Sequence, residues 1–171
     1  MAEEDVFPDR NMSHRDKVVF MLEREGWALD AVPARTDLDP PFPRYAYTIG
    51  FEERFDFPEV CVVGLSPVAC RGLLDLVADA LAGGTELPIG DAFIGLLEGD
   101  QPCALLAVDP AVTAGLFPSL TEHQQIAGRA PDAFRMVQLT WPDDAGVLPG
   151  EPGFAPALAT IQLLFSEAPS S

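Results

Sequence analysis

Two acidic sites in the sequence place carboxylates where they can do chemistry. Glu59 follows Pro58 and stands at the start of the apolar run 60–65, where an ionised carboxylate costs free energy unless it is solvated or paired. At that position it can act as a general base or accept a hydrogen bond from a ligand. More often such a residue pairs with an arginine, here Arg44 or Arg54, and this ion pair is the favoured interpretation.

The second acidic site is the pair Asp143 and Asp144, in the turn that follows Trp141. Two neighbouring carboxylates can bind a hard cation such as Mg²⁺ or Ca²⁺. A turn after a strand also uses aspartate to accept backbone hydrogen bonds. The structural interpretation is favoured, and no metal site is assigned.

Aromatic side chains can line a ligand pocket beside these carboxylates, because Tyr and Trp combine a flat apolar face with a polar tip. The two-residue period of a strand puts Tyr45 and Tyr47 on one side and Thr48 on the other. Large aromatics on a strand more often pack in the hydrophobic core, and that role is the favoured interpretation. If the elements meet at one rim, the candidate pocket consists of Tyr45, Tyr47, Thr48, Glu59, Trp141 and Asp143.

Motifs of established enzyme classes are absent from the sequence. His14 and His123 are the two histidines, and their spacing is not that of a zinc site. The sequence has no Cys-x-x-Cys pair, no Walker loop and no Gly-x-Ser-x-Gly nucleophile turn. Cys61, Cys70 and Cys103 lie in apolar segments, which predicts buried, reduced thiols; a Cys–His pair with His123 is the alternative. No catalytic residue and no cofactor is therefore assigned.

The charge of the chain restricts its partners. The 171 residues include 10 Lys and Arg against 27 Asp and Glu, a formal net charge of −17. Nucleic acid and anionic membranes repel such a chain, so a basic protein or a small ligand is the expected partner. Residues 1–5 lack the basic start of a signal peptide, and no apolar run approaches the roughly 18 residues of a membrane span. We expect a cytoplasmic protein.

Capping residues and periodicity predict the elements that position these side chains. Four helices are predicted: residues 14–25, residues 67–82, a short helix that begins at Pro110, and residues 119–128. The helix over 67–82 is expected to bury Ala69, Leu73, Leu76, Val77 and Ala80. Seven strands are predicted: residues 27–32, 45–50, 60–65, 93–97, 103–108, 134–141 and 159–165.

This order of elements favours an α+β fold, with a mixed, mainly antiparallel sheet and three or four helices packed against it. The length fits one domain. We place that single globular domain over residues 13–166 and expect flexible tails over residues 1–12 and 167–171.

Three motifs occur in order along the chain. Residues 45–50 have the pattern aromatic-Ala-Tyr-Thr-x-Gly, and residues 58–65 combine Pro-Glu with an apolar strand that ends in Gly-Leu. Residues 138–146 have the pattern Gln-x-x-Trp-Pro-Asp-x-x-Gly. With Gly26-Trp27, these motifs resemble a bacterial family, the domain of unknown function 4262 family, over almost the whole chain. The resemblance implies a single cytoplasmic bacterial domain and names no activity or substrate.

Two departures from the family pattern bear on function. Phe57 stands where the family often has a histidine, and Gly150 stands where it tends to have a tryptophan. The favoured function is a ligand- or protein-binding regulatory module with an acidic surface, because the sequence offers no nucleophile–base pair and lacks that histidine. The alternative is a hydrolase-like enzyme that uses Glu59 and Asp143 with a divalent metal.

Overall fold

A five-stranded mixed sheet forms the centre of the protein. The computed structural model describes residues 13–109 and 115–165. The strands are β1 Ala28–Val32, β2 Tyr45–Ile49, β3 Glu59–Val63, β4 Ala104–Ala107 and β5 Met136–Thr140. Their order is β1-β2-β3-β5-β4, in which only the β3–β5 pairing is parallel. The predicted α+β fold with a mixed, mainly antiparallel sheet is confirmed.

Five α-helices lie in the described parts of the chain: α1 His14–Glu25, α2 Phe51–Phe55, α3 Pro67–Ala82, α4 Pro118–Ile126 and α5 Pro156–Ala159. The helices α1 and α3 begin where the capping residues predict, because the hydroxyls of Ser13 and Ser66 accept first-turn backbone N–H groups. The helix predicted to begin at Pro110 lies outside the described residues, as do the predicted tails. Among the helices of the described segments, none combines the length and the apolar composition of a membrane-spanning helix.

Helices cover both faces of the sheet. On one face, side chains of β2 and β3 pack against Cys70, Leu74 and Val77 of α3. On the other face, Tyr45, Tyr47 and neighbouring strand residues pack with Val18 of α1 and Leu120 of α4. Because both faces are covered, the strands β2 and β3 are buried at every residue.

The buried side of α3 differs from the prediction. The structure buries Cys70, Leu74, Val77 and Ala78, whereas Leu76 is 40% exposed. Only Val77 belongs to both sets. Apolar residues occur on more than one side of this helix, so periodicity alone did not determine which stripe faces the sheet.

Two of the seven predicted strands do not form. Residues 93–97 contribute one isolated bridge, between Phe93 and Cys103, and Gly95 with φ 107° interrupts the extended conformation. The segment 159–165 continues the turn after α5, since Ile161 and Gln162 donate backbone N–H groups to Leu158 O.

Side-chain amides attach this last segment to β5 in place of a strand ladder. The Gln162 carboxamide accepts from Trp141 N–H and donates to Trp141 O, both at 2.8 Å. The Gln138 carboxamide donates to Leu163 O and accepts from Phe165 N–H in the same way, at 2.9 and 2.7 Å. Both glutamines are buried, so the segment is held by buried hydrogen bonds that no local pattern predicts.

Candidate functional site

Glu59 is buried where β2, α2 and β3 meet. Its two carboxylate oxygens accept four hydrogen bonds, two on each oxygen. The donors are the Thr48 hydroxyl at 2.7 Å and the backbone N–H groups of Gly50 at 3.1 Å, Phe51 at 3.0 Å and Glu52 at 3.2 Å. The predicted ion pair with Arg44 or Arg54 is wrong, because the carboxylate satisfies the first turn of α2 instead.

Burial raises the pKa of Glu59 to about 7, although the hydrogen bonds from Thr48 and the backbone act in the opposite direction. The Thr48 hydroxyl accepts from Val60 N–H at 2.9 Å, so its single proton points to Glu59. All four neighbours are therefore donors to Glu59. A raised pKa is typical of a general base. The carboxylate oxygens of Glu59, however, already accept hydrogen bonds from the protein's own backbone and from Thr48.

Asp143 organises the turn after β5. Its Oδ1 accepts from the N–H groups of Ala145 and Val147, and its Oδ2 accepts from Ala155 N–H, each at 2.9 Å. The bond with Val147 is the largest influence that lowers the pKa of Asp143. Asp143 therefore stabilises the turn through backbone hydrogen bonds, which is the role favoured from the sequence. The neighbouring Asp144 is exposed.

Tyr45 and Tyr47 lie on the sheet face that α1 and α4 cover, as the two-residue period predicts. The Tyr45 hydroxyl donates to Leu116 O, and the Tyr47 hydroxyl donates to Asp30 Oδ2 at 2.6 Å. Burial raises the pKa of both phenols. The two tyrosines are therefore neutral core residues with satisfied hydroxyls.

The six residues of the predicted pocket do not share one rim. Glu59 opens β3 and pairs with the first residue of the parallel β5, whereas Trp141 follows β5 and donates Nε1–H to Val63 O at the far end of β3, at 2.9 Å. Val63 lies four residue steps along the strand from Glu59, a distance of about 13 Å. Glu59 with Thr48 lies at one end of the sheet, and Trp141 with Asp143 lies at the other.

A polar cluster that the sequence did not reveal joins α1, β1, β2 and α4. His14 Nε2 lies 2.7 Å from Ser119 Oγ and 3.3 Å from Asp30 Oδ1. The Tyr47 hydroxyl, which donates to Asp30, accepts from Ser119 N–H at 2.9 Å. Because His14 and Ser119 are 105 positions apart, no local spacing could have identified this cluster.

The cluster contains a serine, a histidine and an aspartate, but its geometry is not that of an activated nucleophile. In such a triad the serine and the carboxylate contact opposite nitrogens of the imidazole. Here Ser119 and Asp30 both contact Nε2 of His14. A carboxylate at that nitrogen favours a proton on it, so that His14 donates to Ser119 and cannot accept its proton.

His123 lies one helical turn after Ser119 and is also held by its neighbours. Its Nε2 lies 2.8 Å from Glu53 Oε1, and its Nδ1 lies 3.5 Å from an Arg15 nitrogen. Since arginine can only donate, Nδ1 of His123 accepts from Arg15 and Nε2–H is donated to Glu53. This histidine therefore links α4 to α1 and α2.

The three cysteines are buried thiols, and the described part of the chain has no cluster of metal-ligating residues. Cys61, Cys70 and Cys103 are buried and free, as predicted. Burial raises the pKa of Cys70 and of Cys103 to about 11, so the thiols stay protonated at neutral pH. No group of three or more His, Cys, Asp or Glu residues in the described ranges is arranged to hold a metal ion.

A cavity of about 400 Å³ opens between the end of β1, the start of β2 and the start of α3. Residues 31–34, residues 44–46, Leu65 and Pro67 line it, and of the predicted pocket residues it includes Tyr45 alone. Ala31 and Ala46 are cross-strand partners, and their methyl side chains leave a hollow beside α3 that larger residues would fill. We call this space the Arg44 cavity, after its one charged lining residue.

Arg44 is exposed at the mouth of the cavity. Its guanidinium is close enough to α3 to lower the pKa of Cys70, against the larger opposing effect of burial. Among the described residues, Arg35, Arg71, Arg129 and Arg135 form ion pairs with carboxylates. Arg15, Arg24 and Arg54 contact aromatic rings instead, and Arg44 has no carboxylate or aromatic partner among the same residues.

The comparison with known proteins identifies the family. No curated protein and no solved structure matches the chain. The family model described as domain of unknown function (DUF4262) matches residues 21–155, a range that contains the three motifs, Glu59 and the whole Arg44 cavity. The chain belongs to the DUF4262 family of domains of unknown function.

Proposed function

We propose that this protein is a binding module and that it holds a small ligand in the Arg44 cavity. The cavity carries the proposal, because its volume of about 400 Å³ lies within the range of small-molecule sites, roughly 300–1,000 Å³. Such sites are mostly apolar and contain few polar groups that fix the ligand's orientation. The lining of three alanines, two prolines and Arg44 has this character.

A small ligand is favoured over a basic protein as the occupant of this site. The acidic surface implied by a net charge of −17 can steer a basic protein, but the Arg44 cavity is concave, apolar and carries a positive charge. The acidic surface then contributes solubility, while the cavity contributes the specific binding.

The arrangement of the carboxylates supports binding over hydrolysis. A general base needs a lone pair within reach of the proton that it removes. Glu59 and Asp143 accept four and three hydrogen bonds from the surrounding protein, and they lie at opposite ends of the sheet. A hydrolase that uses both residues has no common site for its substrate.

A fragment screen observed by ligand NMR tests the proposal, with a variant that fills the cavity. Ala31→Leu adds bulk at an exposed lining residue and is expected to abolish binding of the fragments that bind the wild type. Ala82→Leu is the matched control, since Ala82 is exposed at the end of α3. Fragments that bind Ala31→Leu as well as the wild type, or a screen without hits, would contradict the proposed site.

A further inference from the structure

The Arg44 cavity presents two different chemistries to a ligand. Its wall is apolar, with Ala31, Ala46 and Leu65 among its residues, whereas Arg44 is charged. Pro67 also lines the cavity and begins α3, and the first turn of a helix has a partial positive charge. Both polar contributions therefore favour an anionic group at the mouth of the cavity.

Arg44 is a scarce feature in this chain, which has 10 basic and 27 acidic residues. Arg35 and Arg135 pair with carboxylates, whereas Arg24 and Arg54 have no carboxylate partner in the described ranges and lie over phenylalanine rings. Among the described residues Arg44 has neither a carboxylate nor an aromatic partner. Its five N–H donors can instead bind a carboxylate through two parallel hydrogen bonds.

The wall of the cavity favours an aliphatic chain over a peptide. A bound peptide needs hydrogen-bond partners for its own N–H and C=O groups. Among the lining side chains only Arg44 and Tyr45 have polar atoms, and the Tyr45 hydroxyl donates to Leu116 O. The unpaired backbone groups of the edge strand β1 point in the plane of the sheet, not into a space above its face. An unbranched aliphatic tail needs no polar partner and gains free energy from burial alone.

From these contacts we infer that the ligand of the Arg44 cavity is an amphiphilic anion, a carboxylate with an unbranched aliphatic tail. The inference rests on the proposed function, because it names the class of ligand for the same cavity. The carboxylate pairs with Arg44 at the mouth, and the tail lies along Ala31, Ala46 and Leu65. The complex forms without any covalent step.

The net charge of −17 opposes the approach of an anion, but it does so from a distance. At physiological salt, charges more than about 8 Å apart are largely screened. Arg44 acts on the bound carboxylate at hydrogen-bond distance, where screening is weak. The local pair therefore determines the preference between an anionic and a neutral ligand.

Calorimetric titration with octanoate and octanol, which differ at the head group, tests the inference. The wild type is expected to bind octanoate more tightly than octanol, and Arg44→Gln is expected to weaken octanoate binding by up to about fivefold while octanol binding is unchanged. Arg24→Gln removes the same charge from an exposed position on α1 and should leave both affinities as they are.

The possible failures separate the inference from the proposed function. Equal affinities of the wild type for octanoate and octanol, with both lost in Ala31→Leu, would overturn the anionic ligand and leave the binding module intact. If neither octanoate nor octanol binds but fragments do bind in the cavity, the anionic ligand is again overturned and the binding module stands. If no fragment binds either, both proposals are overturned. Tighter binding of a tripeptide that ends in leucine would overturn the aliphatic tail.

Discussion

A carboxylate buried among backbone donors connects three elements of this protein. Glu59 stands at the start of β3, yet its four hydrogen bonds reach Thr48 in β2 and the first turn of α2. The sequence singled out Glu59 because a charge rarely begins an apolar strand. It could not identify the partners, since the donors face Glu59 only after β2 and β3 pair.

The raised pKa of Glu59 predicts how its ionisation affects stability. The pKa of Glu59 is about 7 in the folded protein, against the usual 4.5. Between these pH values the native state therefore keeps a proton that the unfolded chain loses. The free energy of unfolding should therefore fall as the pH rises from about 4.5 through 7, by on the order of 3 kcal/mol.

Chemical denaturation across this pH range, compared with Glu59→Gln, measures the effect. Glu59→Gln cannot ionise, so its curve should lack the part of the decrease that belongs to Glu59. Thr48→Val removes a hydrogen bond that lowers the pKa, so the midpoint of the decrease should move to higher pH. Parallel curves for the wild type and Glu59→Gln would contradict the assignment.

At the scale of elements, the sequence predicted those helices and strands that are stabilised by residues close together in the chain. The helices α1 and α3 begin after serine caps, and the strands β2 and β3 consist of apolar residues in the order expected for buried strands. The helix α2 has no capping side chain before it in the sequence, because its first backbone N–H groups bond to Glu59 from the next strand. Residues 159–165 were predicted as a strand because their apolar pattern does not show the role of Gln162.

Gln162 is expected to hold this last segment against β5. Gln162→Ala leaves the N–H and the C=O of Trp141 without their partners, which should lower the free energy of unfolding by about 2–4 kcal/mol. Gln125→Ala changes an exposed glutamine of α4 and should alter stability by less than about 0.5 kcal/mol. Urea denaturation measures both variants, and equal effects would show that the buried amide contributes nothing specific.

At the scale of the whole molecule, sheet topology determined which predicted site residues meet. The predicted pocket required Glu59 and Trp141 at one rim, and the parallel pairing of β3 with β5 separates them along the strands. The Arg44 cavity depends equally on register, because Ala31 and Ala46 are opposite each other only when β1 and β2 pair. Strand pairing and register do not follow from the residues of one strand alone. The sequence therefore predicted candidate site residues but not which of them lie close together.

The net charge of the protein affects the stability of the whole molecule. Its effect is predicted by comparing the repulsion between the excess carboxylates with the attraction within the ion pairs. In the described ranges six ion pairs join an arginine to a carboxylate, and each exposed pair contributes about 0–1 kcal/mol. The excess of 17 negative charges repels itself in the compact state, so added salt should relieve more repulsion than attraction. We expect the melting temperature to rise by several degrees as sodium chloride increases from ~0.01 M to ~1 M, which shortens the Debye length from about 30 to about 3 Å. Tetramethylammonium chloride should give a similar rise, since screening requires no specific cation, and a melting temperature that falls with both salts would show that the ion pairs outweigh the net charge.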